Sequence, residues 1–178
     1  GDHDFREVGA LTELHELKLM GSSQLTSIEM LRPHTELTHL TLIDVPVTDL
    51  TPIAGATSLE RLYCASVPID TVPRLSGMGA LRSVHLTSSK LTSLGFLAGV
   101  PQLETLDLSL SGPLDLGPLA QLTTLRELDL SHADVSDIRP LYGLENLTKL
   151  RVFMADGVPR DQVDALRAAR PDLRIIGP

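Results

Sequence analysis

The sequence predicts an α/β fold: a right-handed solenoid with one parallel, concave sheet and return segments of short 3-10, helical or irregular structure. Three observations carry the prediction. An apolar triplet at the first, fourth and sixth places of a unit recurs as Leu14/Leu17/Leu19, Leu37/Leu40/Leu42, Leu59/Leu62/Cys64, Leu81/Val84/Leu86, Leu103/Leu106/Leu108, Leu125/Leu128/Leu130 and Leu147/Leu150/Val152. The first leucines lie 23 residues apart once, from Leu14 to Leu37, and 22 apart from there to Leu147. Within each unit the period changes, most cleanly over residues 125–146. There Leu128 and Leu130 alternate with Glu127, Asp129 and Ser131, the mark of a strand with one buried face. Val135, Ile138, Leu141 and Leu144 then follow at the step of a tight helical turn, and Pro140 excludes a ladder strand. One unit is thus one coil. A single coil buries too few apolar side chains to offset the entropy of ordering it, so coils must stack on one another.

With these residues in place, the chain resembles the leucine-rich repeat proteins of the internalin-like, 22-residue bacterial class, over nearly its whole length. That class repeats LxxLxLxxNxI followed by a turn similar to SDISPLxxLxN, which VSDIRPLYGLEN at 135–146 and VTDLTPIAGATS at 47–58 echo. The resemblance implies an inward Asn at the ninth place, its amide bonded to backbone between coils. This sequence has Val45, Val67, Ser89, Ser111, Ala133 and Ala155 there instead. Serine can bond to a neighbouring turn, whereas Val and Ala must replace the amide ladder by packing.

Residues 1–13 are read as a partial repeat, 14–157 as seven full repeats, and 158–178 as a C-terminal cap. DFREVGALTEL at 4–14 aligns with DIRPLYGLENL at 137–147, placing Phe5, Val8 and Leu11 where Ile138, Leu141 and Leu144 sit. The chain therefore starts halfway round a coil, and an open apolar edge is expected there, as in a piece of a longer protein; the other reading makes Phe5 a lid on a short lead. The first full unit has its extra residue near Gly21 to Gln24, and the fifth shifts its eleventh-place apolar residue from Pro113 to Leu114. At the far end Asp161 is expected to cap a helix with Val163, Leu166 and Ala169 on its apolar face and Pro171 ending it. Leu173, Ile175 and Ile176 supply a last strand, and the whole reads as a cap closing the array.

A net charge of −8 with no basic stripe argues against nucleic acid as partner. The single cysteine, Cys64, replaces an inward leucine and reads as a core thiol, with no disulfide framework. No apolar run is long enough to span a membrane and no signal-peptide pattern opens the chain, so the cytoplasm is the expected compartment.

Outward places on adjacent strands form columns about 4.8 Å apart. The third place reads Glu16, His39, Arg61, Ser83, Thr105, Glu127, Lys149; the fifth reads Lys18, Thr41, Tyr63, His85, Asp107, Asp129, Arg151. The seventh reads Met20, Ile43, Ala65, Thr87, Ser109, Ser131, Phe153. The candidate partner-binding residues are Tyr63, His85, Arg61, Asp107, Asp129, Arg151, Phe153 and Lys18. Tyr63 leads, because an aromatic ring on a polar sheet has no packing role there and such residues dominate binding hot spots; the alternative is that it covers the stem of Arg61 or His85. Asp107 and Asp129 either await a basic group or metal, or are screened with Arg126, Lys149 or Arg151 leaning over them. Phe153 and Met154 are either exposed contacts or tuck under the terminal helix, and an upstream domain is the alternative cover for Met20 and Ile43.

His85, Asp107 and Ser109 can be drawn as base, orienting acid and nucleophile, but an open sheet excludes no water and offers no oxyanion site. His85 with Asp107 and Asp129 has the donor types for a divalent metal, yet carboxylate columns are routine on such sheets. The Asn146-Leu147-Thr148 sequon is explained by the repeat. The reading is therefore a non-catalytic module with no cofactor or metal, binding a protein partner or another domain of its own chain through the concave face, with no nucleic acid or membrane. Alternatives are the C-terminal ligand-sensing array of a larger bacterial NACHT-type ATPase, and a fragment of a surface adhesin.

Overall fold

The structure, a computed structural model, describes residues 5–11, 13–155 and 157–177, with only the backbone of residues 5 and 6. The reading of Phe5 as a lid falls on a side chain outside that description. Seven strands occur at the repeat spacing: β1 (Glu16–Met20), β2 (His39–Ile43), β3 (Arg61–Ala65), β4 (Ser83–Thr87), β5 (Thr105–Asp107), β6 (Glu127–Asp129) and β7 (Lys149–Arg151). Helix α1 (Arg160–Ala169) and strand β8 (Arg174–Ile176) follow. The described residues form one sheet in strict chain order, every neighbouring pair parallel. Register is locked because a one-residue slip would turn the inward leucines to solvent. Leu40, Leu62, Val84, Leu106, Leu128 and Leu150 stack at the fourth place with at most 1% exposure, so the core is one continuous column.

Two local devices make the coil. At the strand exit, the eighth place is left-handed in every full repeat: Gly21, Asp44, Ser66, Ser88, Leu110, His132 and Met154 all have φ between 50° and 65°. Only Gly takes that conformation freely, so six side chains are held there by the fold. On the return side, a short polar residue at the thirteenth place accepts the backbone N–H two residues on. Ser27 takes Glu29, Asp49 takes Thr51, Ser93 takes Gly95, Asp115 takes Gly117 and Asp137 takes Arg139. Each acceptor opens a 3-10 turn: Glu29–Leu31, Thr51–Gly55, Gly95–Leu97, Gly117–Gln121 and Arg139–Leu141. The third repeat breaks the rule for a visible reason. Pro73 stands where the N–H should be, and that coil forms no 3-10 turn, its Thr71 making a parallel bridge to Asp49 of the coil before it.

The extra residue of the first unit lies where expected, since Leu25 and Ile28 are buried one place late. Leu114 at 6% exposure takes the inward role in the fifth unit while Pro113 stays exposed. The ninth-place serines bond to each other, Ser89 Oγ to Ser111 Oγ at 3.1 Å, and Val45, Val67 and Ala133 pack without exposure above 2%.

At the start of the chain, a 3-10 turn (Phe5–Ala10) lies on the next one. Leu11 is 51% exposed although its counterpart Leu144 is wholly buried, while Val8 of the same coil packs half-buried against the core. His34, which stands in the inward twentieth-place column, is buried with Nε2 3.0 Å from the Val8 carbonyl; sequence reasoning passed over it. At the other end, α1 and β8 differ from expectation in three details. Pro159 is the residue before the helix and Asp161 lies in its first turn without a capping bond, where its charge still suits the positive helix end. Ala169 is exposed, leaving Val163 and Leu166 as the buried face, and Leu173 is buried just before the strand rather than in it. Among the described residues no helix is long and apolar enough to cross a membrane.

Candidate functional site: the concave sheet

Period-two alternation and parallel register decide what meets on the outward face. Tyr63 lies between Thr41 and His85, and Arg61 between His39 and Ser83. The Tyr63 ring, 39% exposed, stands 5.3 Å from the His85 ring at a tilt of 39°. It leans on His85 but remains open to solvent. His85 is held at both nitrogens, with Nδ1 3.4 Å from Asp107 Oδ2 and Nε2 3.0 Å from Ser83 Oγ. Asp107 also accepts the Ser109 N–H at 2.9 Å. Burial pushes the Asp107 carboxyl up, but the hydrogen bonds from His85 and Ser109 outweigh it and leave the group below the usual carboxylate range.

The arrangement also differs from the catalytic drawing that the sequence allowed and that was set aside above. Ser109 gives its backbone N–H to Asp107, while the hydroxyl facing the imidazole belongs to Ser83, two residues before His85 on the same strand. That pair was legible, because third and fifth places share a face. The N–H groups of β4 lie in a sheet ladder between β3 and β5.

Asp129 accepts the Ser131 N–H at 2.9 Å and pairs with Arg151 Nη1 at 3.2 Å; Lys149 Nζ pairs with Glu127 Oε2 at 3.0 Å. The two adjacent carboxylates thus have separate partners, and of the three bases named for them Arg151 is the one that leans over. Lys18 and Arg61 are exposed, and neither side chain bonds to any described residue.

Phe153 and Met154 do not tuck under α1: they are 52% and 62% exposed, and the Phe153 ring meets the edge of His132 at 5.8 Å. Leu110, 56% exposed, extends this apolar rim two coils back and was missed because only the third, fifth and seventh places were read as outward. Met20, at 53%, is exposed on the opposite edge. Of the eight candidates, the fold gathers Arg61, Tyr63, His85 and Asp107 at the centre and sets Asp129 and Arg151 beside them, while Lys18 and Phe153 lie toward opposite ends.

No protein-family model and no curated protein sequence matches the chain. Solved structures do. The chain is similar to an internalin C2 of Listeria monocytogenes, with 28% identity and a TM-score of 0.77, over 96% of this chain and 74% of that one. It is also similar to an internalin F of the same species, with 22% identity and a TM-score of 0.66, over 92% of this chain and 55% of that one. A leucine-rich repeat protein of Leptospira interrogans aligns at 18% identity and a TM-score of 0.72, over 96% of this chain and half (50%) of its own length. Parallel sheet, coil length, 3-10 returns and neighbours agree: the chain folds as a leucine-rich repeat solenoid, similar in build to the internalins.

Proposed function

We propose that this chain is a non-catalytic protein-interaction module that seats a protein partner on its concave face, centred on Tyr63 and His85. One observation carries the reading: an aromatic ring stands half open on a polar sheet, braced by an imidazole fixed through Ser83 and Asp107. A ring already held in place loses little freedom on contact, which is what makes aromatic anchors strong. The general role of the fold as an interaction scaffold supports the same reading.

The test uses binders selected from a displayed random-peptide library against the intact chain. Tyr63→Ala should weaken the selected binders by about 1 kcal/mol or more while leaving thermal stability in place. Ala120→Glu, on the exposed return side, should leave binding unchanged. Equal affinity for the Tyr63 variant and loss with the Ala120 variant would move the site off the sheet and overturn the proposal.

A further inference from the structure

We infer that Arg61 reads a carboxylate on the partner, so that the segment seated on the concave face is acidic, with an Asp or Glu at Arg61 beside an apolar or aromatic group on Tyr63. This rests on the central patch proposed above and names the chemistry of its occupant.

The argument starts from how this sheet treats its other charges. Cations on β7 face an acid on the strand before: Lys149 has Glu127 and Arg151 has Asp129. Asp107 has His85 and its own Asx turn. Arg61 departs from that pattern, as Lys18 and Arg174 do toward the two ends of the sheet, but Arg61 alone of the three stands beside the aromatic centre. Its register neighbours are His39 and Ser83, neither of them an acid, and the guanidinium bonds to no described residue. Of the nearby ring nitrogens, both of His85 are occupied and His39 Nδ1 lies 2.9 Å from Thr38 Oγ1, which leaves His39 Nε2 as a single donor beside the guanidinium fork. Five N–H donors in a planar fork are thus left open at the centre of the sheet, two residues from an exposed aromatic ring.

The wider charge balance sharpens this. The chain carries 23 acidic against 15 basic residues, so an uncommitted arginine here is not the by-product of a basic surface. On the first three strands the outward charges are Glu16, Lys18 and Arg61, with Glu16 two coils from Arg61. The nearest carboxylate in sequence, Glu60, is exposed at the second place of its repeat, just before β3, and no ion pair joins it to Arg61. A bidentate guanidinium–carboxylate contact gives orientation as well as attraction, and the Tyr63 ring beside it excludes water from one side of the pair. Nucleic acid does not fit the same patch. A phosphate backbone needs a track of cations, and on β1–β3 Lys18 is the other one, two coils away.

The experiment extends the selection on the intact chain. Peptides enriched against it should carry Asp or Glu next to an apolar or aromatic residue. Arg61→Glu should weaken them at least tenfold, Arg61→Lys should weaken them less, and changing the peptide acid to Lys should restore binding to Arg61→Glu. Unchanged melting and hydrogen exchange of the Arg61 variants confirm that only the surface was altered. Binders that lose affinity with Tyr63→Ala but not with Arg61→Glu would leave the central patch standing and overturn the acidic partner. Enrichment of basic peptides, failure of the charge swap, or no enrichment at all would overturn it as well.

Discussion

Ser111 Oγ lies 3.1 Å from Ser89 Oγ, one coil away, with both side chains buried and the Leu86 carbonyl 3.5 Å from the Ser111 hydroxyl. Here two hydroxyls replace an amide ladder. Ser111→Ala removes the bond and strands the Ser89 hydroxyl in the core, at a cost of about 1–3 kcal/mol. Changing both to Ala should cost less than the sum of the single changes, because it leaves no orphaned group and recreates the packing of Ala133. A denaturant double-mutant cycle measures this; strict additivity would mean that the two hydroxyls do not depend on each other.

Leu110 holds φ at 60° with its side chain 56% exposed. It suffers the left-handed penalty and gains little burial in return. Leu110→Gly should raise stability by about 0.5–1 kcal/mol, the relief of strain being partly offset by the extra freedom of glycine in the unfolded chain. A fall in melting temperature would show that the contacts of the leucine within the folded chain outweigh its backbone strain.

Cys64 is wholly buried between repeats, and desolvation pushes its thiol up to about 12 from an ordinary 9.0. A raised thiol pKa means the folded state favours the neutral form. Its contribution is therefore complete below pH 9 and is lost as pH rises toward 12. A thiol-specific reagent at mildly alkaline pH should label the native protein only as fast as it unfolds, and labelling that outruns unfolding would refute the burial.

Asp137 accepts from Arg139 through Nε at 2.9 Å, Nη2 at 2.7 Å and the backbone N–H at 2.9 Å. The side-chain bonds first, then the backbone bond, hold the carboxyl down at about 2 from an ordinary 3.8. A depressed carboxyl stabilises the fold above its ordinary value and ceases to as pH falls toward 2. The stabilities of the native chain and Asp137→Asn should differ near neutral pH and converge in acid; curves that stay parallel would sink this assignment.

The period was readable because burial repeats with it: the inward leucines have no other reason to return at fixed places, and register follows once they stack. The outward columns were readable for the same reason, down to the Tyr63–His85 and Asp129–Arg151 neighbours. What escaped were choices made within reach of several partners. His85 can be met by Ser83 or Ser109, and rotamers decide between them. Asp161 has the chemistry of a cap, but Pro159, with its fixed φ, takes the cap position two residues earlier. The exposure of Phe153 depends on where α1 comes to rest, which no local pattern states.

Pro73 has an effect beyond its own turn. Helical turns stacked on the outer side of a coil array demand more width than strands, and that difference is what bends such an array. The third repeat has no 3-10 turn there, and its Thr71 instead makes a parallel bridge to Asp49. A coil without that turn is expected to spread its outer side less behind the aromatic centre, which suits an occupant lying along the sheet rather than one filling a bowl.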